Sequence, residues 1–95
     1  MIKTWANSIS QKFYMSGIGK KFNGMDAESA LELLAVLDAA TSLNDISPLK
    51  SVGLHKLKGA RKKQWSMAVN GPWRICFEFK SGDAYGVEIV DYHKG

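Results

Sequence analysis

The chain has 95 residues, a formal net charge of +4 and a hydrophobic content of 45%. That length and composition read as one domain, residues 1–95, with a modest core that removes about 60–70% of the unfolded surface from water; disorder is not expected. The longest apolar stretch, Leu33 to Leu37, is far short of the roughly 20 residues that span a bilayer, and a single cysteine closes no internal disulfide, so neither a membrane protein nor a disulfide scaffold is expected.

Charge is unevenly spread. Residues 1–45 carry four Lys and five Asp/Glu, whereas residues 46–95 carry nine Lys/Arg and four Asp/Glu. Lys50, Lys56, Lys58, Arg61, Lys62 and Lys63 fall in one stretch without an acid. Such asymmetry suits a polyanion partner; a merely solvated basic surface is the plainer alternative.

Met1 to Trp5 reads as a short strand and not as a signal peptide, which needs a charged and then an apolar region. With the reduced cysteine, this places the chain in the cytoplasm as an expectation. Ser8-Ile9-Ser10-Gln11 has the spacing of a capping box, with Ile9 and Phe13 on one face of the helix that follows. Gly17 and Gly19 stop that helix. Asp26 then caps the best helix of the chain, roughly 27–41, whose apolar stripe is Ala27, Ala30, Leu31, Leu34 and Leu37, with Glu28, Glu32 and Asp38 pointing elsewhere. Asn44 to Pro48 reads as a loop.

Strands follow. Leu54 to Lys58 is short, and Gly59 to Lys63 is a basic turn. From Gln64 to Val69 the chain alternates, with Trp65, Met67 and Val69 on one side. Asn70-Gly71 signals a hairpin in which both residues are expected at positive φ. Trp73 to Phe79 alternates again, placing Arg74, Cys76 and Glu78 opposite Trp73, Ile75, Phe77 and Phe79. After a turn at Ser81-Gly82-Asp83, Tyr85, Val87 and Ile89 form the apolar side of a last strand that runs to His93. The expected class is α+β: two N-terminal helices on one face of a small, mainly antiparallel sheet, the other face partly open.

Few residues offer chemistry. No Gly-x-Ser-x-Gly elbow or Gly-x-x-x-x-Gly-Lys loop is present, and no Cys/His set has metal-ligand spacing, so neither a cofactor nor a metal is expected. Cys76 reads as a small packed side chain. In Leu54-His55-Lys56-Leu57-Lys58-Gly59 a histidine lies beside two lysines, which suits a phosphodiester: lysine neutralises phosphate and histidine moves a proton. An edge strand blunted by lysine explains the same residues. Arg74, on an open sheet face, can hold phosphate through two parallel hydrogen bonds, or pair with Glu78 or Glu88. Asp91-Tyr92-His93 ends the last strand. Period-two alternation puts Tyr92 on the side of Arg74 but Asp91 and His93 on the other, and separates His55 from Lys56 and Lys58; only twist or a bulge would gather them all.

At these segments the chain resembles the HigB branch of the RelE/ParE toxin superfamily. The likeness rests on Met1-Ile2-Lys3, Leu37-Asp38-Ala39-Ala40-Thr41, Leu54-His55-Lys56-Leu57-Lys58-Gly59, Trp65-Ser66-Met67-Ala68-Val69-Asn70, Trp73-Arg74-Ile75-Cys76-Phe77 and Val87-Glu88-Ile89-Val90-Asp91-Tyr92-His93, and it spans nearly the whole chain. The resemblance implies the RelE-like fold and a ribosome-dependent endoribonuclease that cuts translated mRNA by attack of the ribose 2′-OH, leaving a cyclic phosphate. It also implies contacts with 16S rRNA, a HigA-like helix-turn-helix antitoxin, and operator DNA bound only through the antitoxin complex. Carried over by position, His55 and His93 become proton-transfer groups, Arg74 and Lys58 stabilise the phosphate and transition state, and Asp91 and Tyr92 complete the site. Lys56, Lys58, Arg61, Lys62 and Lys63 become RNA contacts. Pro72 departs from the polar residue that related chains often carry there. Two alternatives stay open: a non-enzymatic ParE-like poison of DNA gyrase, and a basic RNA-binding module without catalysis.

Overall fold

The computed structural model describes residues 1–46 and 53–91. Among the site residues expected from sequence, Tyr92 and His93 lie outside the described residues, as do Lys50 and the end of the loop expected at Asn44 to Pro48.

The chain begins extended and stays so for six residues because β4, the strand Asp83–Asp91, offers it an open edge. Ile2 and Trp5 form parallel bridges to Ala84 and Val87. Lys3 and Ala6 donate amides to the Ala84 and Val87 carbonyls at 2.8 and 2.9 Å. The expected strand at Met1 to Trp5 is therefore two isolated bridges that cover an edge, not a regular strand, and covering an edge is how sheets avoid pairing with foreign chains. Helix α1, Ser8–Ser16, follows. Its cap is Asn7, whose side chain accepts the Ser10 amide at 2.9 Å, in place of the expected box starting at Ser8. Ser10 and Phe13 are buried in this helix, while Ile9, grouped with Phe13 from sequence, is exposed. Ser10 Oγ then accepts the Ile89 amide at 3.0 Å, continuing the edge protection of β4 from within the helix.

Helix α2, Ala27–Ala39, starts at Asp26 as expected, with the carboxylate accepting the Ser29 amide. Its last turn stops at Ala39, short of Thr41, where Asp45 gathers the chain by accepting the Thr41 and Ser42 amides. Ala30, Leu34 and Leu37 are fully buried, while Ala27 and Leu31 pack at the margin. Asp38 accepts the Ile2 amide at 2.8 Å and the Tyr14 hydroxyl at 3.2 Å, tying the N-terminal segment and α1 to α2.

Among the described residues, four antiparallel strands form the sheet in the order β1-β2-β3-β4. Strand β1 is His55–Lys56, shorter than expected; β2 is Trp65–Asn70 and β3 is Trp73–Lys80. The two helices lie on one face, where Phe13, Leu34 and Leu37 meet Met67, Ile75, Phe77, Val87 and Ile89 in one core. This is the α+β, RelE-like arrangement expected from sequence.

Both hairpins differ from expectation in a way that matters for the faces. Asn70 pairs with Trp73, so the first turn is Gly71-Pro72, and only Gly71 has positive φ. Proline fixes a negative φ, which excludes the doubly positive turn. That turn occurs instead at Ser81-Gly82, with φ of 53° and 81°. Asn70 is released to clip the hairpin to the helices: it accepts the Asp26 amide and donates to the Gly24 carbonyl. In β4 the register slips between Cys76 and Glu78, where Gly86 takes φ 61°. The extra residue moves Tyr85 off the face of Val87 and Ile89, with which it was grouped, and puts Ala84 into the core instead.

Candidate active site

The sheet face away from the helices carries a row of polar side chains. Pairing sets it: His55 faces Ser66, Ser66 faces Cys76, and Cys76 faces Glu88. One step along, Ala68, Arg74 and Val90 form the next row on the same face. Because opposed residues share a face, His55 and Arg74, 19 positions apart, emerge side by side. Arg74 Nη2 is 3.4 Å from His55 Nδ1. The guanidinium is half-buried and the imidazole exposed, so the pair lies at an accessible surface.

His55 Nδ1 has a second neighbour, the Gly53 carbonyl at 3.1 Å. The two select opposite tautomers. A carbonyl only accepts, so bonding to Gly53 requires a proton on Nδ1 and leaves the Nε2 lone pair able to take a proton. Accepting from Arg74 requires a bare Nδ1 and puts the proton on Nε2.

Two further residues shape this face. Ser66 is fully buried, and its oxygen accepts from Arg74 Nε at 2.6 Å. Arg61 sits in a short 3-10 helix, Gly59–Arg61, donates to Gln64 Oε1 at 2.8 Å and pairs with Glu88 at 3.5 Å. Glu88, weighed from sequence as a partner for Arg74, thus has Arg61 beside it, and one of the expected RNA-binding cations stands in an ion pair on this face. Cys76 lies between Ser66 and Glu88, fully buried and outside any disulfide. Among the described residues no His/Cys/Asp/Glu group of three could hold a metal.

The other residues expected at the site are placed as follows. Lys56 points to the helix-bearing side of the sheet, its Nζ 5.9 Å from the Trp65 ring centroid. Lys58 precedes the 3-10 helix, and Lys62 and Lys63 follow it, all exposed. Asp91 pairs with Trp73 at the exposed end of β4, and alternation from Ile89 puts it on the face opposite Arg74. The described residues therefore bring His55, Arg74 and Arg61 to one face and leave Lys56 and Asp91 on the other. Sequence reasoning missed Ser66 and Gln64 on this face, and Glu88 entered it only as an ion-pair partner for Arg74. The available signal was the polar side of β2, where Gln64 and Ser66 alternate with Trp65 and Met67.

Comparison with known proteins agrees with this architecture. A family model described as RelE-like toxin of type II toxin-antitoxin system HigB matches residues 3–93. A relative from Proteus vulgaris, Endoribonuclease HigB, is 32% identical over 93 residues, covering 98% of this chain and all of the relative. Among the described residues no helix is long and apolar enough to cross a membrane.

Proposed function

The chain belongs to the HigB-like family of RelE-like toxins from type II toxin–antitoxin systems, and from that premise we propose that it is an endoribonuclease acting on translated mRNA at the ribosome. One observation carries the reading: a guanidinium and an imidazole, 3.4 Å apart, on the open face of a sheet. Endoribonuclease activity is named for the relative from Proteus vulgaris.

In the proposed reaction His55 Nε2 takes the proton of a ribose 2′-OH. The 2′-oxygen attacks the adjacent phosphorus, and the bond to the 5′-oxygen breaks, leaving a 2′,3′-cyclic phosphate. Arg74 faces the non-bridging oxygens, where negative charge builds, and such donors contribute most when fixed in advance. The departing 5′-oxygen needs a proton, for which the carried-over positions supply His93. Tyr92 completes the set, able to stack on a base. Lys58, Lys62 and Lys63 give the basic surface that approaches mRNA and 16S rRNA, its affinity falling with salt. A HigA-like helix-turn-helix antitoxin neutralises the toxin and carries the complex to operator DNA; cytoplasmic residence follows from both partners.

The test is induced expression followed by primer extension on an abundant message. Wild type produces discrete cuts within the translated frame, and His55→Ala loses about 10²- to 10⁴-fold of the cleavage, the usual contribution of a proton-transfer group. Growth arrest with intact messages contradicts the reading.

A further inference from the structure

Resting on the nuclease reading just given, we infer that Ser66 is a positioning residue for Arg74. The pairing pattern puts Ser66 between the two site residues: it faces His55 across β1 and is the diagonal neighbour of Arg74 across β3. Its side chain is wholly removed from solvent, and its oxygen accepts from Arg74 Nε at 2.6 Å, a short bond to a charged donor.

A buried hydroxyl on a strand is costly unless bonded, and packing alone is served as well by alanine. Ser10, the other fully buried serine among the described residues, has a structural reason: it accepts an amide at the edge of β4. Ser66 accepts instead from a guanidinium that borders His55. A planar guanidinium held at Nε cannot roll about its long axis, so the direction of both terminal nitrogens is set before RNA arrives. Arg61, by contrast, is grasped at a terminal nitrogen, Nη1, by Gln64 and Glu88. Ser66 holds Arg74 at the inner end, at Nε.

Two readouts test this. In the full chain, the Arg74 Nε–H resonance is followed by NMR; in wild type the proton exchanges slowly with water, and in Ser66→Ala at least about tenfold faster. In single-turnover cleavage of a defined message on translating ribosomes, normalised to folded protein, Ser66→Ala lowers the maximal cleavage rate constant about 10- to 100-fold with the half-saturating concentration little changed, the scale of a misdirected catalytic group. Ser66→Thr, which keeps the hydroxyl, recovers most of that loss. Ser66→Ala placed in an Arg74→Ala background costs nothing further, an outcome that a purely structural serine would not give. Equal losses in both backgrounds, or unchanged Nε exchange, overturn the inference. A wild-type chain that cuts while Ser66→Ala cuts equally fast overturns it alone; a wild-type chain that cuts no RNA overturns the nuclease reading and this inference with it.

Discussion

Arg74 and His55 show how a candidate site can be assembled from residues with no special chemistry of their own. Neither is unusual on a basic surface. What distinguishes them is a shared face and a second hydrogen-bond partner each, Ser66 Oγ for the arginine and the Gly53 carbonyl for the histidine. Charge alone is then insufficient. Arg74→Lys keeps the cation but loses the Nε donor and the planar fork. It is expected to retain folded stability and lose about 10²- to 10³-fold in cleavage rate, the loss typical of a removed oxyanion donor, as measured by single-turnover kinetics. A lysine variant within tenfold of wild type would show that a point charge is enough. Tyr14 offers a separate test at the same scale. Burial, and then the neighbouring Asp38 carboxylate, push its hydroxyl above the ordinary value of 10.0. A raised value in the folded state means that the stabilising contribution is complete below pH 10 and lost as pH rises through the folded value. Thermal unfolding measured upward from pH 9 is expected to fall, and to fall less steeply in Tyr14→Phe.

At the scale of elements, the caps and hairpins decide which side chains share a face. Asn7 starts α1 one residue before the expected cap, and Asn7→Ala is expected to cost about 1 kcal/mol in denaturant unfolding. Asp26 and Asp45 both have carboxyls held below the ordinary value of 3.8, chiefly because each accepts backbone amides, from Ser29 and from Thr41 respectively. Depressed values in the folded state give stability that is present above pH 3.8 and disappears as pH falls through the folded values. Tm is therefore expected to drop on acidification below about pH 4, and Asp26→Asn, which still caps the helix, to flatten that limb. Gly82 sits at φ 81°, and a Cβ there would lie 3.1 Å from the Thr41 carbonyl oxygen. Gly82→Ala is accordingly expected to destabilise by about 1–2 kcal/mol, the size of left-handed strain in a residue with a Cβ.

For the molecule as a whole, composition and alternation made the architecture legible. The helix from Ala27 has its buried stripe every three or four residues, and Trp73 to Phe79 keeps a strict period of two, so helices on one sheet face followed directly. Leu34→Ala, at the centre of that core, is expected to cost about 3 kcal/mol, measurable as a lowered denaturant midpoint. Legibility ended where local rules met tertiary ones. Asn70-Gly71 looks like a turn by itself, but Pro72 forbids positive φ at the second position and moves the turn along by one. Tyr85 reads as apolar-face because alternation does not announce the slip at Gly86. Ser66 reads as a surface serine because nothing in β2 says that an arginine from β3 folds over it. His55 and Arg74 could be nominated from sequence, but their contact depends on a register that only the assembled sheet supplies.

The proposed reaction puts the broken phosphodiester on that open face. The direct measurement is the chemistry of the cut end: purified chain is mixed with ribosomes translating a defined message, and the 3′ termini of the fragments are identified by mass spectrometry. A 2′,3′-cyclic phosphate produced by wild type and lost with Arg74→Ala is the expected result. Uncut message in the presence of toxic wild-type chain, or cleavage undiminished by Arg74→Ala, would contradict it.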